Sequence, residues 1–283
     1  MQHVRMSGMA AFLVAMAAFS SGAGPRAYAQ HDMSQETGPP KYLYLSNAEL
    51  KPGHSSEFAK LESEEIDALR AAKIPGHYFG MWSITGNTDR VLFFRGFDSY
   101  ADLQKVHDET VGNATVEAVV SKDNAAEGLI SVVHHGSIYE YQKDLSLNPP
   151  ASLENMRFME IELFDVNPGQ EGAFEHLAKE YKKAYESSLP AANWAIFQKA
   201  LGKGSGTTYI LVVPLKSLGD VDTMHANDKT FTDKAGPDLL ALLRAQGTTI
   251  IKSEETDLYA MGAKISYVPD KWLTDSPDFW GKK

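Results

Sequence analysis

A long-range internal repeat constrains the fold of this chain more than any other feature. The segment Met159 to Pro190 repeats the pattern of Leu43 to Pro75, with the Pro-Gly pairs and the following apolar residues each 116 residues apart. Further matches extend the register and drift by only two residues, as loop insertions would produce: Trp82 with Phe197, Phe94 with Val212, and His107 with His225. Similarity at a fixed period indicates a duplicated structural unit.

Each copy predicts the order strand, helix, strand, strand, helix, strand. In the first copy, alternation from Tyr42 is typical of a strand, and a Pro-Gly break then precedes an amphipathic helix. This order indicates a ferredoxin-like unit, an antiparallel sheet with its helices on one face. We therefore expect an α+β fold in which two tandem ferredoxin-like halves pack sheet to sheet as an α/β barrel.

The boundaries of the predicted segments follow from changes in composition and from the prolines and glycines that end helices and strands. The start of the chain has a basic residue, an apolar run and an A-x-A ending, which predicts a signal peptide cleaved after Ala29 and an exported protein. The predicted segments are a signal peptide (1–29), a flexible leader (30–41), a first half (42–144), a linker (145–156), a second half (157–266) and an aromatic tail (267–283) that we expect to pack on the body.

The resemblance of each half to a known family rests on two motifs. One is the turn before the first helix, Lys51-Pro52-Gly53 or Asn167-Pro168-Gly169, and the other is the start of the second helix, Ser99 to His107 or Ser217 to His225. In these features each half resembles the dimeric α/β-barrel superfamily, in particular its antibiotic biosynthesis monooxygenase-like and NIPSNAP-like domains. The resemblance implies a barrel completed by one chain, and hence a monomer or a homodimer.

Composition excludes several classes of function. The chain has no cysteine, which excludes thiol chemistry and thiolate metal sites. Its 27 basic and 37 acidic residues give a net charge of −10, which disfavours nucleic acid as a partner. No P-loop, dinucleotide fingerprint or spaced metal-ligand motif occurs, and the early apolar run is too short for a membrane span. We therefore predict no cofactor and no metal.

Two pairs of ionisable residues are candidate catalytic groups: Glu160 with Glu162, and His107 with His225. Both glutamates lie on one face of their predicted strand, and apolar walls would raise their pKa toward values useful for proton transfer. If the aliphatic residues of the first strands face the helices, the glutamates point toward the barrel interior or its mouth. The alternatives are a solvent-exposed strand face and histidines that pack under a helix.

Aromatic residues supply the candidate ligand-binding set: Tyr44, Tyr78, Trp82, Trp194 and Phe197. Core filling is the alternative role for such side chains, whereas an aromatic-lined pocket would hold a flat organic molecule. The sequence thus predicts a protein that binds a small organic molecule. If the protein is an enzyme, we expect a cofactor-independent, monooxygenase-like reaction on an aromatic or polyketide-like compound. The alternative is a non-catalytic ligand-binding, stress-related or protein-interaction module.

Overall fold

The computed structural model describes residues 38–204 and 206–281. The predicted signal peptide and most of the predicted leader lie outside these residues. The first half contains β1 (Tyr42–Leu50), α1 (Ser55–Ala71), β2 (Tyr78–Ser83), β3 (Arg90–Phe97), α2 (Tyr100–Val111), α3 (Ala114–Ile130) and β4 (Ser131–Tyr141). The second half contains β5 (Phe158–Val166), α4 (Glu171–Ser188), β6 (Ala195–Gly202), β7 (Thr207–Leu215), α5 (Gly219–Ala235), α6 (Pro237–Ile250) and β8 (Ile251–Tyr267), and the tail contains α7 (Asp270–Asp275) and α8 (Pro277–Trp280).

Local sequence explains where these elements begin and end. Gly53 and Gly169, which precede α1 and α4, have φ angles of 87° and 79°, a left-handed conformation that glycine adopts without a steric penalty. The single helix expected after Ser99 is in fact two, α2 and α3. The Asn113 side chain accepts a hydrogen bond from the Val116 amide and caps the second of them.

The strands form a closed antiparallel barrel in the order β1-β3-β2-β8-β5-β7-β6-β4. Within it, β4-β1-β3-β2 of the first half and β8-β5-β7-β6 of the second half follow the same order. The two sets join through β2 with β8, where Met81 pairs with Met261, and through β4 with β6, where Tyr141 pairs with Phe197. One chain therefore closes the barrel.

The interior of the barrel holds the largest apolar cluster in the described residues. All eight strands contribute to it, and its buried members include Leu43, Phe79, Met81, Phe94, Met159, Ile161, Ile210 and Met261. The aliphatic residues of β1 and β5 therefore face the barrel interior and not the helices, so Glu160 and Glu162 do not point into the barrel. The alternating polar set on β5 faces the helices instead, because successive residues of a strand point to opposite faces of the sheet.

The helices cover the outside of the barrel, and the tail packs against the body. In the first half, α1 and α3 pack on the sheet through Phe58 and Val116, which are nearly inaccessible to solvent. In the tail, Trp272 and Trp280 are buried against the barrel cluster, and the Trp280 indole donates a hydrogen bond of 2.8 Å to the Glu154 carbonyl. The tail thus packs on the body, in agreement with the expectation from its aromatic composition.

Candidate functional site

The second half contains a cavity of about 1240 Å³ between its helices and the outer face of its sheet. We call it the second-half cavity. Its floor comes from β5, β7 and β8, and its walls come from α4, α5 and α6. It exceeds the roughly 300–1,000 Å³ of a common ligand pocket, so it can accept a polycyclic organic molecule. Among the described residues, Gly236 alone separates α5 from α6, and its φ of 80° favours glycine there.

The floor of this cavity carries a hydrogen-bonded pair of carboxyl groups. Glu162 on β5 lies opposite Thr256 of β8, two residues from Glu254, and the two glutamates share a hydrogen bond. Burial, this hydrogen bond and the nearby charges of Glu254 and Glu160 raise the pKa of Glu162 to about 8. A carboxyl group with such a pKa exchanges its proton near neutral pH, where an exposed glutamate would remain ionised.

Glu160 lies next to this pair on the same strand face, and α5 approaches it from above. Burial and the charge of Asp228 raise the pKa of the half-buried Glu160, whereas His225 lowers it. The His225 ring lies 3.8 Å from the Asp228 carboxylate, and its side chain is 76% exposed. Of the four predicted catalytic residues, His225, Glu160 and Glu162 all line the second-half cavity.

An aromatic wall faces the carboxyl groups. Tyr185 of α4 stacks on Phe231 of α5 with ring centroids 4.2 Å apart, and its ring edge meets Trp194 at 5.2 Å. The Trp194 indole donates a hydrogen bond of 3.0 Å to the Leu145 carbonyl, which fixes this ring. Burial, followed by the charge of Asp228, raises the pKa of Tyr185 to about 12, so its hydroxyl stays protonated at neutral pH. This wall suits a flat apolar molecule.

His107 does not belong to this site. It lies on α2 in the first half, where its Nδ1 is 3.1 Å from the Asp108 carboxylate and its Nε2 is buried without a hydrogen-bond partner. Its side chain is only 13% exposed. The two histidines occupy matching positions in the repeat, yet one is mostly buried and the other is open to solvent.

The predicted aromatic set does not line one cavity, which corrects the expectation of a shared pocket. Trp194 lines the second-half cavity. Phe197 lies in the barrel interior, and Tyr44 packs beside Phe97 under α2. Tyr78 and Trp82 lie in the cluster between the sheet and the first-half helices. The cause is the alternation of side chains across the sheet, which divides residues of neighbouring strands among three separate layers.

The cavity residues that the sequence did not single out include Glu254, Tyr181 and Tyr185. The two tyrosines lie at helical spacing on the apolar face of α4, and this spacing does not distinguish a core position from a cavity wall. Glu254 lies in the charged run Lys252-Ser253-Glu254-Glu255 near the start of β8, and no local pattern in the sequence marked this run as a strand.

The residues that the structure describes contain no group of three His, Asp or Glu side chains placed to hold a metal ion. Nor does any helix among residues 38–204 and 206–281 have the length and apolar character needed to cross a membrane.

Comparison with known proteins gives matches at the level of structure. No family model and no curated protein sequence matches this chain. An anthrone oxidase-like protein superposes with a TM-score of 0.52 at 14% identity, covering 78% of this chain and 92% of the other. A presumed monooxygenase from Fusobacterium nucleatum subsp. nucleatum superposes with a TM-score of 0.51 at 13% identity, covering 80% and 93%.

This chain shares the fold of these two proteins, and in this chain it is a closed antiparallel barrel with helices on its outside. A presumed chlorite dismutase also aligns, with a TM-score of 0.43 at 12% identity over 82% of this chain and 99% of the other. At these identities the likeness concerns the fold alone, because one barrel fold carries many activities. The function must therefore be argued from the site.

Proposed function

We propose that the second-half cavity binds a small aromatic or polyketide-like compound and that Glu162, paired with Glu254, removes a proton from it to begin cofactor-independent oxidation by dioxygen. The observation that supports this proposal is the hydrogen-bonded carboxyl pair on the cavity floor, with the pKa of Glu162 at about 8. General bases are most effective when their pKa lies near the working pH.

The reaction balances with dioxygen as the only co-reactant. A CH₂ group flanked by aromatic rings loses one proton to the Glu162 carboxylate, and the carbanion transfers its electrons to O₂ as a C–O bond forms. The resulting hydroperoxide loses water, so that R₂CH₂ and O₂ give R₂C=O and H₂O. Glu162 returns its proton to the departing oxygen. The aromatic wall that includes Tyr185 and Trp194 holds the rings of the compound above the carboxyl pair.

The names of the fold relatives agree with this chemistry. One is described as anthrone oxidase-like and another as a monooxygenase, and anthrone is a three-ring compound with the required CH₂ group. Glu160 and His225 are the proposed second proton carriers, since both line the cavity beside Asp228. His107 has no proposed role in the reaction.

Three further statements about the whole protein are part of the proposal. The shared strand order of the two halves supports an origin by tandem duplication of a ferredoxin-like unit. Closure of the barrel within one chain supports a monomer as the working unit. The A-x-A pattern ending at Ala29 supports export of the protein.

Oxygen uptake with anthrone as the substrate tests the proposal. We expect Glu162→Gln to lower kcat/KM by about 100-fold or more, because a positioned base contributes a factor of this order. Glu140→Gln is the matched control, since Glu140 is a half-buried strand glutamate outside the cavity, and it should leave the rate unchanged. Binding of anthrone without oxygen uptake would instead establish a non-catalytic ligand-binding protein, and absence of both would refute the proposal.

The pH dependence of the same reaction identifies the base. A base acts only when deprotonated, so kcat/KM should rise with pH and level off above about 8. Glu254→Gln removes the neighbouring carboxyl group and should lower the pKa of Glu162, which moves the rise to lower pH. Burial is the largest cause of the shift, so the midpoint should stay above the ordinary glutamate value. An unmoved midpoint would show that another group is the base.

A further inference from the structure

The space that is empty in the second half is filled by carboxyl side chains in the first half. At the repeat spacing of 116 residues, Glu62 of α1 corresponds to Ala178 of α4. Counted back from the helix ends, Glu127 of α3 corresponds to Gly247 of α6. Ala178 and Gly247 both line the second-half cavity. A long side chain on each helix of the first half thus replaces two of the smallest residues on the helices of the second.

These two glutamates are hydrogen-bonded to each other and bridge α1 to α3. Glu62 is 5% exposed and Glu127 is 4% exposed, and a side-chain hydrogen bond joins their carboxyl groups. Burial, followed by the charges of neighbouring carboxylates, raises the pKa of both glutamates. A carboxyl pair can make this bond only while it retains at least one proton.

Several polar atoms around this pair have no hydrogen-bond partner. They are Glu62 Oε2, the Tyr78 hydroxyl and Arg95 Nε, and all three residues are buried. An unpaired buried polar atom costs roughly 1–3 kcal/mol. The layer between α1, α3 and the sheet is therefore strained by polar groups that a neighbouring solvent or ligand would satisfy.

Charged and titratable groups face the pair from every element packed against it. Helix α1 contributes Glu65, α3 contributes Asp123, and the strands contribute Tyr44, Tyr78, Arg95 and Tyr267. Two cations face this group: the buried Arg95, stacked at 5.2 Å over the Tyr78 ring, and the exposed Lys122 of α3, whose Nζ lies 3.7 Å from the Asp123 carboxylate. Full ionisation would place four carboxylates in this layer with Arg95 as the buried counter-charge, which is unfavourable.

We propose that the Glu62–Glu127 carboxyl pair is a proton-operated latch whose ionisation separates α1 from α3 and opens a second cavity for apolar organic molecules in the first half. The open state would resemble the second half, in which Ala178 and Gly247 leave the same space free. The latch does not depend on the chemistry proposed for the second-half cavity.

The direction of the pH effect follows from the shifted groups. Burial is the largest cause in each case: it raises the pKa of Glu62 well above its ordinary value, that of Glu127 to about 8 and that of Glu65 to about 7. Because these folded-state pKa values exceed the unfolded ones, the stabilisation is complete below about pH 4.5. It is lost as the pH rises through 7 to 8, so the latch is closed in acid and opens in mild alkali.

Hydrogen exchange between pH 6 and pH 9 tests the latch. After correction for intrinsic exchange, we expect amides of α1 and α3 to lose at least tenfold in protection, while the amides of β2 and β3 do not change. In Glu62→Gln plus Glu127→Gln the pair stays neutral, so most of the pH-dependent loss of protection should disappear, and the titration of Glu65 should account for what remains. The control, Glu57→Gln plus Glu117→Gln, removes one exposed carboxyl group from each of the same helices and should behave like the native chain.

A second variant keeps the proposal testable if the glutamine pair does not fold. Glu62→Ala plus Glu127→Gly reproduces the second-half residues and should bind one more equivalent of Nile red at pH 6 than the native chain does. The native chain should gain the same equivalent at pH 9. Three results would overturn the latch: unchanged protection of α1 and α3 in the native chain, a pH-dependent loss in the glutamine pair as large as that of the native chain, or no added Nile red site in either case.

Discussion

The two halves share one strand order, yet the first is filled between helices and sheet and the second is hollow. In the first half, α3 packs over α1, and the buried residues of α1 are Phe58, Leu61, Glu62, Glu65, Ile66 and Leu69. In the second half, α5 buries only Phe231 among its 17 residues. The barrel cluster is common to both halves and stabilises the fold, so the outer layer of the second half is free to form a binding cavity. The two halves thus share a buried barrel layer and differ in the layer between helices and sheet.

Transferring the first-half residues to the second half should have the largest effect. Ala178→Glu plus Gly247→Glu places two carboxyl groups where the cavity now lies, and a Cβ at residue 247 meets no atom within 4 Å. We expect affinity for Nile red, measured by fluorescence titration at pH 6, to fall by about 100-fold, equivalent to about 2.7 kcal/mol.

The control for this transfer has the same change in composition outside the cavity. Gly172→Glu plus Ala245→Glu places one glutamate on each of the same two helices at exposed positions that do not line the cavity. It should bind Nile red as the native chain does. Equal losses in both variants would show that added charge, and not filled space, controls binding, and the comparison of the halves would lose its basis.

Alanine substitution of the two equivalent phenylalanines, one in each half, should give a smaller difference, which can be measured as a free energy of unfolding. Phe58 is 1% exposed within the filled layer, whereas Phe174 is 4% exposed and lines the second-half cavity. We expect Phe58→Ala to lower the free energy of unfolding by roughly 3–5 kcal/mol, because it leaves a void in a packed layer. Phe174→Ala should cost about 2 kcal/mol less, since part of its surface already adjoins empty space.

Urea unfolding of both variants measures this contrast. The slope of the free energy against urea should stay unchanged, which would show that the difference arises in the folded state. Equal losses for Phe58→Ala and Phe174→Ala would mean that the second-half cavity closes in solution.

The sequence predicted the element order and the barrel because both depend on repeated features of local pattern. The Pro-Gly turns and the amphipathic helices recur at nearly constant spacing, and a closed barrel is the simplest way to cover two sheets. Which face of each strand points into the barrel could not be predicted in this way. Alternation on β5 separates Met159 and Ile161 from Glu160 and Glu162, but both faces of a barrel strand are covered, so the pattern does not say which face lies inside.

Predicting the candidate site from sequence requires the differences between the two copies more than their similarity. Ala178 aligns with Glu62 at the constant spacing of 116, so half of the contrast was visible in sequence. The other half was not, because α3 and α6 differ in length and Gly247 aligns with Glu127 only when both are counted from the helix end. Small residues on a helix carry no signal of their own; they indicate a cavity only beside the larger residues of an equivalent helix.

The two matching histidines should show the smallest effects and the sharpest separation of roles. His225→Ala should change the free energy of unfolding by no more than about 0.5 kcal/mol, since its side chain is 76% exposed. His107→Ala should cost about 1–2 kcal/mol, since its ring is 13% exposed and packs beneath α2. Oxygen uptake should show the reverse order, with a loss only for His225→Ala, because that ring alone lines the cavity. Loss of uptake in His107→Ala at full stability would contradict this division, because His107 does not line the second-half cavity.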